Sequence, residues 1–113
     1  GYAYIFVRSG GEWTHKTKLL APNGAWGDWF GHSVAIYGNV IAVGAPRDGN
    51  NGSANGSAHV FVRNGEEWTH KAKLLAPDRA AGGWFGNSVA IYGDTIVVGS
   101  WGDGYRSGSA HVF

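Results

Sequence analysis

Eight side chains in three Gly-rich stretches carry the groups best suited to recognising a ligand: Trp26 and Asp28, then Arg47 and Asp48, then Trp101, Asp103, Tyr105 and Arg106. A flat ring beside a carboxylate and a guanidinium suits a sugar, whose apolar face stacks on the ring while its hydroxyls bond the polar groups. Amphipathic aromatics serve protein contacts equally well. The competing use of these rings is packing against a neighbouring sheet or protomer, since buried aromatics dominate interfaces. The expected ligand is therefore a glycan or a protein.

Catalytic chemistry is poorly served. The eight carboxylates, Glu12, Asp28, Asp48, Glu66, Glu67, Asp78, Asp94 and Asp103, sit almost all in Gly or Pro contexts that read as turns and caps. No Gly-x-Ser-x-Gly elbow appears, and the Gly clusters precede no helix whose dipole could cradle phosphate. The chain is expected not to be an enzyme and to have no catalytic residue.

Metal and cofactor sites are not expected either. Asp48-Gly49-Asn50-Asn51-Gly52-Ser53 offers oxygens at alternate positions, but it lacks the second carboxylate a hard cation needs and reads as turn chemistry. His15 and His70 recur at equivalent positions, as do His59 and His111. Without another His or carboxylate two or four residues on to complete a chelate, they are assigned to packing. The absence of Cys removes disulfides and thiolate chemistry and leaves the redox compartment open. Asn51-Gly52-Ser53 and Asn55-Gly56-Ser57 match the glycosylation acceptor pattern, which is too short to carry weight in such a loop.

Bulk properties narrow the partners. The 113 residues suffice for one modest domain, with 14% aromatic and 15% charged residues, a balance opposed to disorder. A formal charge of +1 gives no field for nucleic acid. No apolar run approaches the length of a membrane span, so no membrane insertion is expected, and Gly1 to Arg8 lacks the pattern of a signal peptide.

The elements that position these residues come from a duplication. Sliding the chain by 55 residues aligns Gly1 to Gly44 with Gly56 to Gly99 without a gap, and 30 of the 44 pairs are identical. A third start, Gly108-Ser109-Ala110-His111-Val112-Phe113, repeats Gly56 to Phe61. Within one period, strands are expected at Ser33 to Tyr37 and Val40 to Val43, joined by the tight turn Gly38-Asn39. Two more are expected at Ala58 to Arg63 and Trp68 to Leu75, joined at Asn64-Gly65, with Pro77 ending the unit. Strict alternation places Trp68, His70, Ala72 and Leu74 on one face of the last strand and Thr69, Lys71 and Lys73 on the other. Trp13 and Trp68 are assigned to the core, while Trp29 and Trp84 are expected to wedge between units. Helix content should be near zero, because the Gly density opposes helices.

Four antiparallel strands per period describe the blade of an all-β propeller. Phe30-Gly31 opens the first strand and Gly44-Ala45-Pro46 closes the second, so the chain resembles the FG-GAP repeats of integrin α propellers. The second copy keeps Phe85-Gly86 but reads Gly99-Ser100-Trp101 at the closing motif. The resemblance implies an extracellular or cell-surface recognition module, in a variant without the family's calcium loop, since only Tyr37-Gly38-Asn39-Val40 separates the two motif strands.

Divided on this pattern, residues 1–28 form two strands of a partial blade, 29–83 a complete blade and 84–113 three strands of another. About two blades cannot close a ring. The ring is expected to be completed by a longer parent chain or by identical chains arranged head to tail, three or four copies giving six or eight blades. The surplus strand, at Tyr2 to Val7 or Ala110 to Phe113, is then expected to fray or swap. A multivalent binding module, lectin-like or adhesive, and a structural assembly scaffold with no ligand both fit this pattern.

Overall fold

The structure is a computed structural model that describes residues 1–22, 24, 27–49, 56–77, 83–102 and 108–113. Within them the chain is all-β, with nine strands: β1 (Ala3–Ser9), β2 (Glu12–Leu19), β3 (Ser33–Tyr37), β4 (Val40–Ala45), β5 (Ser57–Asn64), β6 (Glu67–Leu74), β7 (Phe85–Tyr92), β8 (Thr95–Ser100) and β9 (Ser109–Val112). They form three antiparallel sheets in the orders β1-β2, β3-β4-β5-β6 and β7-β8-β9. These sheets do not close into a ring. Among the described residues no helix is long and apolar enough to cross a membrane.

Local chemistry accounts for the pairing. Tyr37 opposes Val40 across a two-residue turn in which Gly38 takes φ 56°, the conformation that a primed hairpin turn requires at its first central position. From there Ile36 pairs with Ile41 and Val34 with Val43, so the β-branched residues stack in register across the strands.

Strict alternation fails on β6. The register shifts between Val60 and Phe61: Phe61 opposes His70, whereas Val60 opposes Ala72 and His59 opposes Lys73. The extra residue is a β-bulge, and beyond it every side chain changes face. Trp68 therefore packs on the cluster of Leu19, Phe30, Ile41 and Phe61, while Leu74 packs on that of Ala58, Phe85 and Val98. The two were expected on one face, and Lys73 was expected opposite His70. The bulge puts Lys73 and His70 together instead.

The two clusters are the cores between adjacent sheets. The first joins Ala3 and Leu19 of the β1-β2 sheet to Ile41, Val43 and Phe61 of the middle sheet, and the second joins Ala58 to Phe85 and Val98. The Phe-Gly motif sits at the joint. Phe30 stacks edge-on against His59 and Phe61, and Phe85 does the same against His111 and Phe113. Gly86 has φ 96°, and a Cβ there would overlap the carbonyl oxygen of Ser57 in the neighbouring sheet. Ser33 Oγ then donates to the Gly86 carbonyl at 2.9 Å, and Gly56 bridges Phe85 in parallel. Only a residue without a side chain lets the two sheets approach this closely.

The expectation that Trp13 belongs to the core is corrected. Trp13 is 67% exposed, although its counterpart Trp68 is half-buried. Trp68 leans on the β1-β2 sheet, whereas no sheet among the described residues lies on the corresponding side of Trp13.

Candidate functional site at the loop end of the sheets

Antiparallel connections sort the loops. The tight hairpins at Gly38-Asn39, Gly65-Glu66 and Gly93-Asp94 lie at one end of the sheets. The segment entering β3, the β4–β5 connection, the segment entering β7 and the residues after β8 lie at the other. This second end gathers the candidate residues that the structure describes: Asp28, Arg47, Asp48 and Trp101.

Its centre is a row of indoles. Trp29 and Trp84 each precede a Phe-Gly pair and hold φ of 64° and 58°, a backbone state rare for a bulky side chain. Their rings meet edge to face, with centroids 5.7 Å apart. Trp101 lies against Trp84 at 5.5 Å, and His32 stacks on Trp29 at 5.6 Å. The wedge expected of Trp29 and Trp84 is thus a direct contact between consecutive repeats. Both ends of the row reach solvent, with Trp29 41% and Trp101 61% exposed.

Arg47 lies over this row. Its guanidinium carbon is 5.1 Å from the Trp29 ring centroid and 5.9 Å from that of Trp84, within the range of cation–π attraction. The Arg47 backbone N–H donates to the Asp28 carbonyl, fixing the loop against the segment that carries Trp29. An open recess of about 540 Å³ adjoins, lined by Gly1, Gly27, Trp29 and Arg47.

Asp48 turns the other way, into a buried polar chain. Its Oδ2 accepts from Ser57 Oγ at 2.7 Å and from Lys73 Nζ at 2.9 Å. Ser57 Oγ also lies 3.3 Å from His59 Nε2, and His59 Nδ1 lies 3.0 Å from His70 Nε2. Because the one hydroxyl proton of Ser57 goes to Asp48, bond counting assigns His59 Nε2–H as donor to Ser57 and His70 Nε2–H as donor to His59 Nδ1. Both imidazoles are then neutral. His59 is 2% exposed; its burial, followed by the fields of His70 and Lys73, pushes its pKa down to about 4 against the opposing pull of Asp48. Partial burial, then Lys73, lowers that of His70.

Serine, histidine and aspartate are thus neighbours, but not in the arrangement of a hydrolytic triad. The carboxylate takes the serine proton itself instead of orienting the far nitrogen of the imidazole, and Ser57 is fully buried. The chain of bonds ties the β4–β5 loop to β5 and β6. The Ser–His contact recurs in the third sheet, where Ser109 Oγ and His111 Nε2 are 3.0 Å apart. Among the described residues no group of three metal-ligating side chains converges.

Trp26, Asp103, Tyr105 and Arg106 lie outside the described residues, as do both acceptor asparagines, Asn51 and Asn55. Of the described candidates, Arg47 and Trp101 join the exposed row, Asp28 anchors it through its backbone, and Asp48 belongs to the buried chain. Trp29 and Trp84 were not among the expected site residues. The signal for them was present: an aromatic repeated immediately before each Phe-Gly pair must fall at the same end of successive units. The turn expected at Asn64-Gly65 lies one residue later, at Gly65-Glu66; this register pairs Asn64 with Glu67 and sets Phe61, not His59, opposite His70.

Among known families, a model described as FG-GAP repeat matches residues 13–61 and again 68–113. No curated protein sequence matches the chain significantly.

Proposed function

Because the chain belongs to the FG-GAP repeat family, whose repeats typically occur in extracellular proteins such as integrins, we propose that its propeller-like sheets form a non-catalytic recognition module that binds a glycan at the loop end. The observation that carries this reading is the row of Trp29, Trp84 and Trp101, exposed at both ends, with the Arg47 guanidinium laid over it. Indole faces accept the apolar side of a sugar ring, while a fixed cation supplies donors for its oxygens. Strained backbone at Trp29 and Trp84 supports the reading, because such strain persists only where the surroundings hold it in place. An extracellular or cell-surface location suits this role.

A glycan array probed with the intact chain tests it. Selective binding to a subset of glycans, lost on Trp101→Ala with the fold retained, is the expected outcome. Trp101 is the informative position because its exposure makes its replacement nearly neutral for stability. No glycan binding, or binding indifferent to Trp101→Ala, would overturn the proposal; a protein ligand would then be the remaining recognition target.

A second reading, assembly, is favoured by the outer faces of the end sheets. Tyr4, Phe6 and Val112 are exposed, although their counterparts in the middle sheet, His59, Phe61 and Val60, are buried. In this reading identical chains cover one another head to tail, three or four closing a ring of six or eight blades, and the sheets act as a scaffold with no further ligand. Native mass measurement distinguishes it. A discrete trimer or tetramer supports a ring of copies, while a stable monomer at micromolar concentration contradicts it.

A further inference from the structure

Among the described residues no carboxylate lies within ion-pair distance of Arg47, since the ion pairs present all involve Asp48. Asp48, next in sequence, is committed to Ser57 and Lys73, so among the described residues it does not compensate the neighbouring guanidinium. Among the described residues, Arg47 is also the only charged side chain lining the recess beside Trp29. Its planar group is held over two indoles, and no described side chain pairs with its N–H fork, which can meet a planar anion with two bonds.

Comparison of the two copies isolates this feature. The backbone is the same in both: Arg47 N–H donates to the Asp28 carbonyl at 3.1 Å, and Gly102 N–H donates to the Gly83 carbonyl at 3.1 Å. Yet the first copy reads Pro46-Arg47 where the second reads Trp101-Gly102. One repeat therefore contributes a cation and its neighbour contributes an additional ring, both directed at the same row. The two substitutions complement each other around Trp84, as a site for a ligand with an anionic group at one end and an apolar face at the other requires.

We infer that this site selects an acidic saccharide, a uronate-type sugar that stacks on the indole row and places its carboxylate on the Arg47 guanidinium. The inference rests on the glycan reading above and narrows it to one class. A hexuronate differs from its parent hexose only in carrying a carboxylate in place of the hydroxymethyl group. Arg47 discriminates at that carbon, and the indoles bind the shared ring.

The test is a titration of the ¹⁵N-labelled intact chain with oligogalacturonate and, separately, with the neutral oligogalactose of equal length, each repeated with Arg47→Gln. Folding of the variant is checked by its amide spectrum. The expected result is a preference for the uronate of about tenfold or more, the size of a charge-assisted bond, which falls to near unity in Arg47→Gln and weakens with added salt. Equal affinity for both sugars overturns the acidic selectivity while leaving the glycan reading intact. A preference that survives Arg47→Gln overturns the role of Arg47. Binding of neither sugar here, together with an empty glycan array, removes the glycan reading and this inference with it.

Discussion

Acidification should weaken the fold through His59, and the size of the effect follows from its surroundings. In the unfolded chain this imidazole titrates near 6.5, whereas in the folded protein its pKa is about 4. Between these values the unfolded state binds the extra proton and the folded state does not, so stability falls as pH drops from about 6.5 to about 4. Above 6.5 the contribution is fully present, and below 4 it is gone. At about 1.4 kcal/mol for each pH unit, the drop corresponds to about 3 kcal/mol, a large share of the ~5–15 kcal/mol that holds a typical domain. His70, lowered in the same direction, adds to the loss. Urea unfolding followed by tryptophan fluorescence, at several pH values between about 7 and 4.5, measures it: the midpoint should fall by roughly 2 M for a chain of this size. His59→Gln, which stays neutral throughout, should be less stable at pH 7 but should lose much less on acidification. If wild type and His59→Gln decline in parallel, His59 is not the buried neutral group described here.

Two further substitutions test the joints of the structure. Gly86→Ala places a Cβ against the Ser57 carbonyl at a backbone state of positive φ and should cost about 2–3 kcal/mol, whereas Gly49→Ala, with open space around it, should cost under about 1 kcal/mol; equal urea midpoints would contradict the close approach of the sheets. Asp48→Ala removes the acceptor shared by Ser57 and Lys73 and should cost about 2 kcal/mol, while Lys73→Ala should cost less than about 1 kcal/mol because that side chain is 39% exposed; the reverse order in thermal melts would show that the carboxylate is not the hub.

The strands were legible because their signals are local. β3 was placed at Ser33 to Tyr37, and the turn at Gly38-Asn39 fixed its partner, so register followed from a glycine and a count. The Phe-Gly pairs carried the repeat, and the family match agrees with the reading drawn from them. What stayed hidden depends on contacts across strands and sheets. The bulge at Val60 and Phe61 is a single extra residue with no signature in the β6 sequence, yet it moves Lys73 onto the His59 face and creates the buried polar chain. Asp48 looked like an exposed ligand residue for the same reason: its partners Ser57 and Lys73 lie 9 and 25 positions away, and only the folded register brings them together. Trp13 and Trp68 are identical in local context, so the sequence held no clue that one would find a neighbouring sheet and the other would not.

The recognition role is tested most directly at the tryptophans themselves. Each indole N–H gives its own signal in a ¹⁵N–¹H spectrum of the intact chain, so a saccharide titration reports which rings are engaged. Binding at the loop end predicts that Trp29, Trp84 and Trp101 shift together and saturably while Trp13 and Trp68 stay in place. Shifts confined to Trp13 or Trp68, or no shift at any indole with every class of sugar, would contradict it.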